Sequence, residues 1–430
     1  MAAARPQGVR DTTRLTERGE RGGGADQASM RRTNLGLILR HLRDHGGQSR
    51  ARVASETGLS KATLSSLIAD LVDRGLVTEG ELERGGSVGR PGLTLHVDGR
   101  HVAGLGLEIN VDFLALTAVD LTGRVLVEST RPLDTAALPV AEVVEAAAEL
   151  LTRATRSLRA RGVRPVAVTV AVPGSIDPAA GRVMFAPNVG WRDVPLVREL
   201  TARLGRSAPP VVIENDAKLG AVAEHTLVAA SGIDDLVYLT GDVGVGAGII
   251  VEGHVLRGAS GFAGEVGHIP LDPAGGACAC GRRGCWETMV GLGAFLRLAA
   301  DEGDPVRDPR RPLEERLGEL HARAAGGDDR AVAAVDRVGR DLGVGLSVLV
   351  DLFDPRLVVL GGWFAYFRDA LVPPLQATLA ARALTDSVPH VTASDLGLAA
   401  ASRGGAHLAL GSVFRDPGGI DPPKPSSRPA

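Results

Sequence analysis

At 430 residues the chain exceeds one ordinary domain, and 44% hydrophobic with 23% charged residues is a globular composition rather than a disordered one. A net charge of −3 excludes a uniformly basic nucleic-acid binder, so any contact with DNA must come from a local patch. No apolar run reaches the ~18 residues of a membrane-spanning helix, and the arginine-rich start lacks the apolar stretch of a signal peptide; a reduced, cytoplasmic setting is expected.

Residues 1–30 carry Arg, Gly and Glu with few large apolar groups and read as a disordered tail. Residues 31–98 read as a winged helix-turn-helix domain. Leu35, Ile38, Leu39 and Leu42 recur at helical spacing before Gly46-Gly47. A second helix starts after Ser49, passes through Val53-Ala54 and ends at Gly58. Ser60 is placed to cap a third, with an apolar stripe of Leu64, Leu67, Ile68, Leu71 and Val72. Gly58-Leu59-Ser60 is then the tight turn of a helix-turn-helix, whose second helix enters the major groove. Lys61, Thr63, Ser65 and Ser66 on that helix, with Arg50 at the start of the one before, are the expected DNA contacts. Strands around the glycine-rich segment 79–92 form a wing, and Arg90 in GRP is placed to reach the minor groove. Ten basic residues face seven acids between Arg31 and Pro91. The competing reading is a small helical bundle for protein contacts; the attached wing favours DNA.

From Ala103 the pattern changes to apolar strands alternating with helices, an α/β arrangement. Strands are expected at 103–111, 113–119, 166–172, 211–214, 236–240 and 357–360, with helices at 141–161 and 337–353. Asp301–Glu315 is polar and proline-punctuated, a surface loop. Residues 416–430, rich in proline and serine, read as a second disordered tail.

All three cysteines lie within eight positions, and His268 precedes them in the spacing His-x9-Cys-x-Cys-x4-Cys. Cys278, Cys280 and Cys285 with His268 can close a tetrahedral shell around structural zinc. A disulfide would leave one cysteine over. Glu265 and Glu287 flank this knot, so a metal would fix two carboxylates relative to each other. Four protein ligands leave no open position for water, which argues against a zinc hydrolase.

These motifs together resemble the ROK family (repressors, open reading frames and sugar kinases), in its transcription-regulator branch. The resemblance is carried by the winged helix with GRP, PNVGW at 187–191, ENDAK at 214–218, GVGAG at 244–248, AGEVGH at 263–268 and CACGRRGCWET at 278–288. It implies an actin-like, ribonuclease-H-like ATPase fold of two α/β lobes over residues 101–415, with sugar bound between them. By resemblance Asn215 is a sugar-hydroxyl ligand, Asp216 the family's catalytic base, and Glu265 and Glu287 sugar-binding carboxylates. His268 matches a residue that holds zinc through one nitrogen and faces the sugar with the other, and Asn188 a further sugar contact. Helix capping by Asn215 or Asp216, and support of the zinc by Glu265, are the competing roles.

Family kinases open this region with a D-x-G-G-T-K loop that holds ATP phosphates. Residues 108–113 here are Glu-Ile-Asn-Val-Asp-Phe, without the glycines or the lysine. The charge added by Asp112 costs about 3 kcal/mol for one like-charge pair at ~5 Å and effective ε ~20. GVGAG, the remaining glycine loop, equally suits close backbone packing. The expectation is therefore a sugar-responsive repressor rather than an enzyme, with a sugar kinase carrying a DNA-binding domain as the alternative. Its expected partners are a double-stranded operator, a sugar or sugar-phosphate effector, and a second copy of itself in a homodimer or homotetramer.

Overall fold

The computed structural model describes residues 27–82, 93–242, 244–259, 261–384 and 388–423. Helix α1 (Gln27–His45) is followed by the short strand β1 (Gln48–Ser49), α2 (Arg50–Thr57), α3 (Lys61–Asp73), and strands β2 (Val77–Leu82) and β3 (Leu93–Val97). The three strands form one antiparallel sheet in the order β1-β3-β2. Leu35, Ile38, Leu39 and Leu42 of α1 close over Val53, Leu64, Ile68 and Leu71, as the helical spacing predicts. Gly58 ends α2 at φ 73°, a left-handed conformation open to glycine, and Ser60 Oγ accepts from Thr63 N–H at 3.2 Å as the N-cap of α3. Val72, expected in the apolar stripe, is instead 39% exposed, because Leu71 takes the inward position at the end of α3.

The first lobe comprises β4 (Val102–Ile109), β5 (Phe113–Asp120), β6 (Val125–Pro132), α4 (Val140–Ala160), β7 (Arg164–Val172), β8 (Ser175–Asp177), β9 (Arg182–Ala186), β10 (Trp191–Val194), α5 (Leu196–Leu204) and β11 (Val211–Asn215). Its main sheet runs β11-β7-β4-β5-β6, with β4, β5 and β6 antiparallel and β7 and β11 added in parallel. The second lobe comprises α6 (Asp216–Val228), β12 (Leu236–Gly241), β13 (Val245–Val251), β14 (His254–Val255), α7 (Glu287–Val290), α8 (Leu292–Ala299), α9 (Leu313–Ala325), α10 (Asp329–Phe353), β15 (Leu357–Gly362), α11 (Trp363–Tyr366), α12 (Arg368–Arg382) and β16 (His390–Ala393). Its sheet, β14-β13-β12-β15-β16, repeats the plan of the first: an antiparallel β12-β13-β14 unit extended by parallel β15 and β16. The turns between β4 and β5 and between β12 and β13 are thus equivalent in the two sheets, and both reach the cavity described below.

Helix α13 (Ala400–Arg415) returns from the second lobe to cover the first sheet. A Cβ on Gly106 of β4 would lie 1.8 Å from the Ser402 carbonyl, so this close approach requires glycine. The far end of α13 joins the winged-helix core through Leu410, Val413 and Phe414.

Both expected tails are shorter than their composition indicates. Helix α1 already begins at Gln27, inside the expected tail 1–30. Residues 416–423, read as disordered, are docked: Ile420 is buried, and Arg74 Nη1 donates to the carbonyls of Gly418 at 2.7 Å and Ile420 at 2.6 Å. Proline and glycine content misleads here because the strap is held by its carbonyls and one apolar side chain, which composition does not register. Residues 1–26 and 424–430 lie outside the described residues. Asp301–Glu315 is likewise better anchored than a free loop, with Val306 fully buried and its carbonyl accepting from Arg316 Nε.

Candidate functional site

A cavity of about 330 Å³ opens between the two lobes. Asn188, Asn215, Asp216, Glu265, His268 and Glu287 all line it, so every residue expected to meet sugar hydroxyls converges on one space. Each arrives on a different element. Asn188 sits in a short turn, Pro187–Val189, between β9 and β10; Asn215 ends β11 and Asp216 begins α6; Glu265 precedes and His268 ends the turn Val266–His268; Glu287 opens α7.

Asn215 takes two roles. Its Oδ1 caps α6 by accepting from Lys218 N–H at 3.1 Å, and its Nδ2 donates to the Gly174 carbonyl at 3.2 Å, which fixes the amide at the cavity wall. The capping role set against sugar binding is therefore present, on a residue that also lines the cavity. Glu214 is buried and pairs with Arg257 at 2.7 Å, anchoring this corner; nothing local in the sequence marks Arg257 as its partner.

Asp216 is buried, and burial together with the neighbouring Asp242 carboxylate raises its pKa to about 7. Burial raises Asp242 to about 6, with Asp112 adding to the effect. Burial likewise lifts Glu108 to about 8, with Asp242 and Asp216 contributing repulsion. Glu265 is also raised by burial, partly offset by His268 and Lys218. Sequence reasoning missed Asp242, Asn110 and the cavity-lining rings of Phe185 and Phe262. Phe262, 56% exposed, carried no signal beyond its place beside AGEVGH.

The four expected metal ligands also converge. One ligand atom from each of His268, Cys278, Cys280 and Cys285 lies within 4.8 Å of the others. Cys280 and Cys285 Sγ are 3.6 Å apart, and Cys278 Sγ is 3.6 Å from His268 Nδ1. A zinc tetrahedron with Zn–S near 2.3 Å has edges of about 3.8 Å, so the donor set fits such an ion. Burial is the largest single influence on Cys280 and opposes its ionisation, but hydrogen bonds from the Arg282 side chain (Nε–H to Sγ at 3.5 Å) and backbone and from Cys278 and Cys285 together outweigh it and lower the thiol to about 6. With Nδ1 turned to the cysteines, His268 keeps Nε2 for the cavity it lines. Glu287 ties the knot to the glycine loop: Oε1 lies 3.7 Å from Cys278 Sγ, and Oε2 accepts from Val245 N–H at 3.1 Å.

The glycines of GVGAG serve packing. A Cβ on Gly248 would lie 2.3 Å from the Ala217 carbonyl, and one on Gly244 would meet Glu287 Oε2 at 2.6 Å. At the equivalent turn of the first sheet, Asn110 Nδ2 donates to Glu108 Oε1 at 3.0 Å and Asn110 Oδ1 accepts from Val111 N–H at 2.7 Å.

Comparison with known proteins places this architecture. The sequence model of the ROK family matches residues 104–412. The chain belongs to the ROK family. A MarR family model matches residues 36–86, over the winged helix. The xylose repressor of Bacillus subtilis is 29% identical over 339 residues, covering 78% of this chain and 83% of that protein. The crystal structure of a ROK family transcriptional regulator, a homologue of the Escherichia coli MLC protein, superposes with a TM-score of 0.74 at 25% identity, over 90% of this chain and 97% of that one. A ROK hexokinase from Thermus thermophilus superposes at 0.59 with 34% identity, but over 72% of this chain and 99% of the kinase. The share of each chain covered separates the two ROK neighbours: the regulator spans the winged helix as well as the lobes, whereas the kinase is matched over the extent of the lobes alone.

On the winged helix, Lys61, Thr63, Ser65 and Ser66 are all exposed on α3. Arg50 is less free than expected, its guanidinium paired with Glu79 of β2. Arg90 lies outside the described residues.

Proposed function

We propose that this chain is a sugar-responsive transcriptional repressor, with α3 and the wing reading an operator and the cavity between the lobes binding a sugar. One observation carries the reading: six polar side chains able to bond hydroxyls line one cavity, on a chain that matches a family regulator over 90% of its length. Lys61, Thr63, Ser65, Ser66 and Arg90 are assigned to DNA, and Arg50 to DNA only if its pairing with Glu79 opens. Asn188, Asn215, Asp216, Glu265, His268 and Glu287 are assigned to the sugar. Their carboxylates accept hydroxyl protons, and the Asn amides and His268 Nε2 supply complementary groups. Zinc would be held by His268, Cys278, Cys280 and Cys285, and it would act structurally, fixing the loop that carries Glu265, His268 and Glu287.

Bound sugar shifts the balance between two arrangements of the lobes only by its difference in affinity for them. In a homodimer or homotetramer such a shift changes the spacing of paired winged helices against half-sites one helical turn or a multiple apart. The rival reading, an ATP-dependent sugar kinase, draws support from the hexokinase likeness and from an Asp216 near pH 7, suited to a general base. Calorimetry of the full-length protein against sugars, with and without ATP, separates the two. Saturable sugar heat unaffected by ATP, with sugar-dependent release of an operator fragment, is the expected result; continuing heat from ATP turnover would make the protein an enzyme.

A further inference from the structure

We propose that the carboxyl-lined end of the cavity rejects phosphorylated ligands, so that the effector is an unphosphorylated sugar, and that the Asp242 carboxylate, crowded by Glu108 and Asp216, sets this selectivity. The inference rests on the sugar-binding reading above and adds the chemical class of the ligand.

The cavity adjoins a small extension of about 30 Å³, and the two share Asn110, Asp216, Thr240 and Asp242 as walls. Glu108 closes the extension from the first sheet, 6% exposed, with Oε2 buried and without a hydrogen-bond partner. Three carboxyl groups from β4, from the start of α6 and from the β12–β13 turn therefore face one small space.

No cation among the described wall residues balances them. The only basic groups are His268 and Arg282, and both are engaged with the cysteine knot, through Cys278 and Cys280. Lys218 is not a wall residue; its ammonium donates to the Gly261 carbonyl, and its charge is shared among Glu214, Glu265 and Asp216.

Three nearby backbone amides are also engaged. At the start of α6, Ala217 N–H donates to Asp216 Oδ1 at 2.8 Å and Lys218 N–H to Asn215 Oδ1. In the glycine loop, Val245 N–H donates to Glu287. A phosphoryl dianion entering here would meet the Asp242 carboxylate and a partly ionised Asp216, the reverse of a helix-terminus anion site. Burial and mutual repulsion already lift these carboxyls above their ordinary range, and the same forces would act on an added dianion. A neutral sugar instead brings hydroxyl protons, which the carboxylates accept.

The test pairs glucose with glucose 6-phosphate, N-acetylglucosamine with its 6-phosphate, and xylose with xylose 5-phosphate, by calorimetry on the full-length protein. At least one free sugar is expected to bind, and its phosphate ester at least 100-fold more weakly. In the double variant E108Q/D242N that gap should narrow tenfold or more; if the pair prevents folding, D242N alone is read the same way. A phosphate ester binding as tightly as its free sugar would overturn the proposal and leave the sensor reading intact. A gap unchanged in the folded variant would remove Glu108 and Asp242 as its cause. If no member of any pair binds, the sugar-binding reading falls, and this inference with it.

Discussion

Asp216 faces the cavity from the first position of α6, where burial and Asp242 hold it at about 7. As a hydroxyl acceptor it makes a charge-assisted bond worth roughly 1.5–3 kcal/mol, so Asp216→Asn should weaken sugar binding by about 10- to 100-fold in a calorimetric titration. Glu108 allows a separate prediction about stability. Its pKa is raised from 4.5 to about 8, so between those values the folded chain keeps a proton that the unfolded chain gives up. The stability it contributes is complete below about 4.5 and is lost as pH rises through about 8. Glu108→Gln removes that dependence and should raise the melting temperature at pH 8 far more than at pH 5, a gain on the order of 4 kcal/mol at pH 8. Equal shifts at both pH values would show that Glu108 does not hold the proton. At this scale the sequence spoke clearly where chemistry is dense. The cysteines and His268 were legible from residue type and spacing, Asn215 and Asp216 from the family resemblance. Asp242 was not, because a lone acid beside a glycine loop acquires meaning only when the fold brings Glu108 and Asp216 to face it.

Single elements divide in the same way. Helices α2 and α3 and the strand runs could be read from apolar periodicity, because each buries one face against a core nearby in sequence. Helix α10 extends eight residues upstream of its expected start at Arg337, capped by Asp328 accepting from Ala331 N–H, because an alanine-rich first turn gives little apolar contrast. The cysteine knot is an element held by few backbone bonds, with Ala277–Arg283 and Pro270–Cys285 bridging as isolated pairs. Cys280→Ala should therefore lose the metal and the sugar response together while the lobes remain folded. Metal content by mass spectrometry and operator release by sugar check this; full metal occupancy with a normal response would detach the knot from sensing. On α3, Lys61→Ala should weaken binding to operator and to unrelated DNA alike and reduce the slope of log affinity against log salt by about 1, as expected for a phosphate contact.

For the whole molecule, the repeated sheet plan was only partly visible beforehand. The strands were legible singly, but nothing local says that β12-β13-β14 repeats β4-β5-β6 and sets two turns face to face. The attachment of the head was not legible at all. Arg74 reaches the carbonyls of Gly418 and Ile420, more than 340 positions away, and Arg40 reaches that of Phe414 at 2.7 Å. Removing two hydrogen bonds from a charged, half-buried donor costs about 1–3 kcal/mol. Arg74→Ala should accordingly speed proteolysis after residue 415 and blunt the sugar response more than it lowers operator affinity; an unaltered digestion pattern would contradict the docking.

Helix α13 places Ala400 and Ala401 on the wall of the cavity's extension and, 14 residues or ~21 Å after Ala400, delivers Phe414 to the underside of α1. The DNA-reading head is consequently a product of two segments about 300 residues apart in the chain. A hybrid regulator spliced near residue 100, the seam that sequence order advertises, would keep one parent's helices and set them on another parent's closing strap, leaving Arg40 and Arg74 without matched carbonyls. Working hybrids should require residues 400–423 to travel with residues 27–98, so that exchanging operator specificity in this architecture takes two crossovers rather than one.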